Sequence, residues 1–118
     1  MLQSKEQFSK MDQRVIIQKA IIGVDASNED KEIGWESIPS VPNPWASVEE
    51  KGGSENYQGD ILTAVTIAVF TMRHRTDLNE KMRILYNDRI YGIKSIIYFS
   101  RAGYIKVTAE SGGEYVES

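Results

Sequence analysis

The sequence contains no cysteine, which excludes a disulfide framework, a thiolate metal site and a cysteine nucleophile. Its single histidine, His74, leaves too few nitrogen ligands for a zinc or iron centre. There is no long apolar run either. The best stretch, Ile61 to Met72, is interrupted by Thr63, Thr66 and Thr71 and falls short of the roughly 20 residues that span a bilayer. It reads as core, and no membrane contact is expected. Met1 to Asp12 has Ser4, Lys5, Glu6 and Gln7 where the apolar part of a signal peptide would begin, so export by the general secretory route is not expected. A basic surplus is also missing: the net charge is -3, against the positive footprint of an autonomous nucleic-acid reader.

What is present is 118 residues, 41% hydrophobic and 26% charged, enough for one domain with one core spanning residues 1–118. Residues 1–12 and 110–118 are expected to be flexible tails, with Leu2, Phe8 and Met11 available to anchor the first of them. Charge is segregated along the chain. Residues 1–24 carry +2, residues 25–60 carry -7, residues 61–107 carry +5 and residues 108–118 carry -3. Faces of opposite sign would favour head-to-tail contacts between copies or with partners. The plainer reading is that the acids solvate loops.

The run Val15 to Val24 is rich in β-branched residues and predicts a strand. Asp25 to Glu32 is polar and acidic without periodicity, an exposed connection that ends in returning order at Trp35. Pro39, Pro42 and Pro44 exclude a helix or a central strand there. Trp45 to Glu49 alternates like a half-buried strand, and Lys51 to Gly59, with three glycines, predicts a long flexible loop. Ile61 to Arg75 has no helical stripe and predicts a long strand, covered on both sides or bent around a barrel. Met82–Tyr86 and Arg89–Ile93 flank Asn87-Asp88, a pair that tolerates left-handed backbone and so predicts a tight hairpin. Ser95–Phe99 and Tyr104–Ala109 pair around Arg101-Ala102-Gly103. The sum is an all-β domain, a small antiparallel β-barrel of about six strands with long polar loops.

Catalytic chemistry has little to stand on. His74 and Asp77 are three apart, on opposite faces of a strand, and no nucleophile elbow, phosphate loop or EF-hand loop occurs. Glu49, Glu50, Glu55 and Asp60 are spaced too irregularly for one cation-binding loop. No cofactor, metal or catalytic residue is assigned. Arg73, Arg75, Arg83, Arg89 and Arg101 with Tyr86, Tyr91, Tyr98 and Tyr104 would suit a single-strand-binding surface of OB type, although aromatics on strands more often serve core or interface.

The run Phe70 to Ile93 reads as a strand ending in Arg73-His74-Arg75, a short polar link, then Met82-Arg83-Ile84-Leu85-Tyr86, a turn, and Arg89-Ile90-Tyr91-Gly92-Ile93. In that order it resembles the central signature of the phage head-tail joining family. Arg14-Val15-Ile16-Ile17-Gln18, Trp35, and Trp45-Ala46-Ser47-Val48-Glu49 before a Gly-Ser-Glu loop fall in the family's order as well, so the resemblance covers about residues 14–109. Three features depart from it: His74 stands where tyrosine is frequent, Asn87-Asp88 replaces Asp-Gly or Asn-Gly, and the link before Trp35 is acidic rather than glycine-rich.

The resemblance implies a head-closure, or stopper, protein of a long-tailed phage or prophage. Such proteins are small β-barrels that form a ring below the portal and adaptor, retain the packaged DNA and give the tail a docking platform. The expected partners are portal and adaptor proteins, a tail terminator or tail protein, further copies of the chain (dodecameric when assembled, monomeric alone) and, non-specifically, the packaged duplex. The expected location is the virion head-tail interface, and the host cytoplasm during assembly. Within this frame Lys51, Gly52, Gly53, Ser54, Glu55, Asn56, Tyr57, Gln58, Gly59 and Asp60 are the expected channel loop, because its glycines allow movement and its acids repel phosphate. Asp25, Asn28, Glu29, Asp30, Lys31, Glu32 and Gly34 are the expected docking loop, and Arg73, Arg75, Arg83 and Arg89 the expected interface. A tail terminator and an OB-like nucleic-acid module are the alternative readings.

Overall fold

The β-branched and aromatic runs separated by polar turns become strands in the computed structural model, which describes residues 11–24, 26–58 and 61–112. The strands are β1 (Gln13–Arg14), β2 (Ile16–Val24), β3 (Asp30–Ser37), β4 (Trp45–Gln58), β5 (Ile61–Arg73), β6 (Arg83–Tyr86), β7 (Arg89–Phe99) and β8 (Tyr104–Ser111). They form one antiparallel sheet in the order β1-β4-β5-β8-β7-β6-β2-β3, and there is no helix among the described residues. The all-β expectation holds, with eight strands where about six were read.

β1 and β2 are one run of chain interrupted only at Val15, yet β1 lies beside β4 and β2 beside β6. The far sides of the sheet are thereby drawn together, and the sheet curls into a half-barrel. The proline segment serves this seam. Proline has no N–H but keeps its carbonyl acceptor, and the carbonyls of Pro44 and Pro42 accept from the amides of Val15 and Ile17 at 3.3 and 2.9 Å. The Ile38 amide donates back to the Ile17 carbonyl at 3.1 Å.

Alternation along β5 and β8 supplies the core. Ala68, Phe70 and Met72 interleave with Ile105, Val107 and Ala109, and Val15, Ile17, Ile84, Tyr91 and Ile93 close the cluster. On the other face of β5, Ile67 and Val69 are only half-buried, so the strand is bent around a barrel rather than sandwiched. The Phe70 ring meets the edges of Tyr86 and Tyr91 at 5.9 and 5.4 Å, a favoured aromatic geometry. Asn87 and Asp88 take φ of 54° and 63°, the two left-handed residues of the expected hairpin.

Of the two segments expected as loops, Lys51–Gln58 is strand, whereas the other turns at Ala26–Asn28 and enters β3 at Asp30. β2 pairs with β6 only over Ile16–Gln18 and then continues with β3 alone to Val24. Likewise β4 beyond Gly53 pairs only with the start of β5, which β8 joins at Thr66. These are two-stranded arms. A ribbon that leaves the barrel has no buried face to impose alternation, so Asp30–Glu32 and Lys51–Gln58 read as loops in sequence while backbone pairing holds them extended. β2 and β5 run in the same sense; the β2–β3 turn follows the one and the β4–β5 turn precedes the other, so the arms leave opposite ends of the barrel. The radius of gyration, 15.8 Å, exceeds the ~13.5 Å of a compact domain this long. Asp25, Gly59, Asp60, Leu2, Phe8 and the rest of residues 1–10 and 113–118 lie outside the described residues. Where the C-terminal end was expected to fray from Glu110, β8 continues to Ser111, which is buried opposite Thr66.

Candidate assembly surfaces

The end of the barrel toward which β2, β5 and β7 run carries a groove of about 1080 Å³. Its walls come from separate segments: Met11 to Arg14, the proline linker from Ser40 to Trp45, and Arg73 to Asp77 after β5. Arg14 lies over the Trp45 ring, 4.5 Å from its centroid, and Trp45 remains 51% exposed. Opposite them Val41 is 63% exposed with φ of 43°, a left-handed conformation that is an outlier for a β-branched residue.

Arg75 holds that strained lip. Its Nε and Nη2 donate to the two Asp77 carboxylate oxygens at 2.7 Å each, Nη1 donates to the Val41 carbonyl at 2.9 Å and Nη2 to that of Ser40 at 2.6 Å. The hydrogen bonds from Arg75, with its positive charge, hold the Asp77 carboxyl below the usual carboxylate range against a smaller upward push from burial. The folded state therefore binds fewer protons here than the unfolded chain. The resulting stability is complete above the ordinary carboxylate range and is lost as pH falls through the lowered value. Asp77→Asn is expected to shallow the acid limb of a stability–pH curve between about pH 2 and 5 and leave the neutral plateau's slope unchanged. Added salt should reduce the wild-type slope, because Asp77 is partly solvated. Chemical denaturation across that pH range checks both.

His74 has a structural partner. Its Nε2 lies 3.1 Å from the Ser100 hydroxyl, its ring tilts against Tyr98 at 5.9 Å, and its amide donates to the Gly103 carbonyl at 2.9 Å. The contacts tie the end of β5 to the β7–β8 turn. Asp77, the carboxylate that would orient a catalytic histidine, is instead bound by Arg75.

The four expected interface arginines are not gathered. Arg73 is exposed beside the groove, and Arg75 is the clamp just described. Arg83 donates to Gln18 at 2.8 Å and lies 4.1 Å over the Trp35 ring, bracing β6 against the β2–β3 arm. Arg89 reaches back to the Thr66 hydroxyl at 3.2 Å. Tyr91 and Tyr104 are buried, so the basic and aromatic single-strand surface of the OB reading does not form. The Tyr91 hydroxyl has no hydrogen-bond partner within bonding geometry; burial and then the Glu50 charge push it up, and Arg89 nearby pulls the other way.

The expected docking residues Asn28, Glu29, Asp30, Lys31 and Glu32 are exposed on the β2–β3 arm, and Gly34 sits opposite Ile21. Asn28 turns the chain with φ of 66°. The arm is not purely polar: Ile22, Val24 and Ile33 are 58%, 64% and 65% exposed. Of the expected channel segment, Lys51 to Gln58 forms one strand of the opposite arm, with Glu49 and Glu50 exposed at its root and a register shift between Glu50 and Gly53. Among the described residues no cluster of three metal-ligating side chains exists. The groove as a whole is not legible in sequence because its parts, Met11 to Asp77, lie far apart in the chain; Trp45 after Pro44 and the expected interface residues Arg73 and Arg75 were its visible traces.

A solved structure titled as the virion of a native gene transfer agent particle contains a chain with the same fold. It has a TM-score of 0.70 at 17% identity, covering 91% of this chain and 96% of that one. No curated protein matches. The model of the phage head completion protein family matches residues 7–112. The barrel and both arms fall within that match, and the chain belongs to the phage head completion protein family, structural components of the virion in its head-tail region.

Proposed function

We propose that the protein closes the filled phage head: copies assemble in a ring below the portal and adaptor, retain the packaged DNA and present the platform on which the tail docks. The observation that carries this reading is the pair of arms leaving opposite ends of one barrel in a member of the head completion family. Such a body reaches a partner on either side while its barrel packs beside its neighbours. A dodecamer fits the expected ring, with the free chain monomeric.

The β4–β5 arm is the channel element in this proposal. Glu49 and Glu50 stand at its root, and carboxylates facing the duplex repel its phosphates, so DNA slides without adhering. The register shift at Glu50/Gly53 provides a bend between open and closed positions. The β2–β3 arm faces partners with its turn, Ala26 to Glu29, and its strands remain for contacts between copies. No catalytic step enters the proposal; ordering and contact do the work.

The test is to incubate the purified protein with DNA-filled, tailless heads lacking it and to measure co-sedimentation and nuclease protection of the DNA. Binding with protection is the expected result; failure to bind heads that carry an intact adaptor would overturn the reading. Replacing Glu49, Glu50 and Glu55 by Gln together with Asp60→Asn is expected to leave head binding intact and slow DNA ejection. Ejection at the wild-type rate would remove the electrostatic part alone.

A further inference from the structure

Apart from Ile97 to Phe99 on β7, the exposed apolar residues of the described chain gather mainly in two features that differ in charge. The β2–β3 arm presents Ile22, Val24 and Ile33 beside Asp30 and Glu32. The groove presents Trp45 and Val41 beside Arg14 and Arg73. Its own carboxylates are Asp12 and Asp77, and the second is bound by Arg75. Exposed apolar surface rimmed by charge marks an interaction site, and complementary rims fix which surfaces meet.

We infer that neighbouring copies join head to tail, the β2–β3 arm of one seated in the Trp45–Arg73 groove of the next. This rests on the ring reading above and specifies how the ring is made. Beyond Gln18 the arm has left the barrel, and the six residues from Lys19 to Val24 extend roughly 20 Å, enough to cross to an adjacent barrel. Arm and groove lie at the same end of the molecule, the end toward which β2 and β5 run. Copies joined through them are related mainly by rotation with little rise. Such a contact between unlike surfaces closes into a ring instead of climbing as a filament. Ile22 and Val24 on one side of the arm and Ile33, packed over Gly23, on the other give it two apolar faces, as an element gripped between two walls requires.

The absence of native cysteine makes a cross-link unambiguous. Ile33→Cys and Val41→Cys are introduced together, the protein is bound to filled heads, and the particles are oxidised and run without reductant. The expected result is a ladder of covalent oligomers that neither single substitution gives. Several copies per head with no ladder would overturn this inference and leave the ring intact; fewer than two copies per head would overturn the ring and this contact with it. Charge exchange gives a second reading that guards against misfolding. Glu32→Arg or Arg73→Glu alone is expected to lower head-bound protein about tenfold, and the two together to restore it. Single exchanges that bind like the wild type would refute the contact.

Discussion

Phe70→Ala is expected to lower the free energy of unfolding by ~3–5 kcal/mol, a large share of the ~5–15 kcal/mol that holds a domain together. Phe70 is fully buried on the central strand β5, and both neighbours in the aromatic cluster, Tyr86 and Tyr91, touch it edge-on. Truncation removes the ring from a site the surrounding sheet cannot collapse into, because β4 and β8 are pinned in register on either side. In urea, at ~1.5 kcal/mol per M, the midpoint should fall by roughly 2–3 M. Phe70→Leu keeps much of the volume and loses the ring contacts, so its cost should be about 1–2 kcal/mol. Equal losses for the two variants would show that the cavity is not the cause.

Arg75→Ala is the second large effect, ~2–3 kcal/mol. One guanidinium serves Asp77 and the carbonyls of Ser40 and Val41 at once, and its side chain is only 13% exposed. Without it the lip at Val41 loses what holds its left-handed backbone, and release of that strain offsets part of the loss. Arg75→Lys keeps the charge but not the planar fork, so it should recover less than half of the stability. Denaturation measures the first effect, and the acid limb set by Asp77 should flatten in Arg75→Ala as it does in Asp77→Asn. Rescue by lysine would assign the clamp to charge rather than geometry.

How legible each element was depended on whether the core dictated its pattern. β5, β7 and β8 alternate against Tyr91, Ile93 and their neighbours, and Asn87-Asp88 announces its own turn, so those strands and the hairpin could be read directly. β2 and β5 were legible into the arms, but their arm partners, β3 from Asp30 and β4 beyond Glu50, were not, because a ribbon standing in solvent is held by backbone bonds that any residue but proline can make. Arg83 and Arg89 were expected at an interface, but the sequence did not show that their half-buried guanidinium groups meet Trp35 and Thr66. The groove needed three dimensions: nothing in the order of residues says that Arg14, Val41, Trp45 and His74 meet.

The seam at Val15 also has a consequence in time. The chain from Gln13 to Gln18 is made early, but its partners are Trp45, Ala46 and Arg83 to Leu85, and β8, which flanks β5, is made last. On a ribosome adding ~5–20 residues per second, Ile16 to Val24 waits several seconds before the barrel can close around it. Folding is thus completed only after β8 has been made, and long-range pairing of this kind is slow. An infected cell must keep this chain apart from its sister copies while that sticky first strand is still unclaimed.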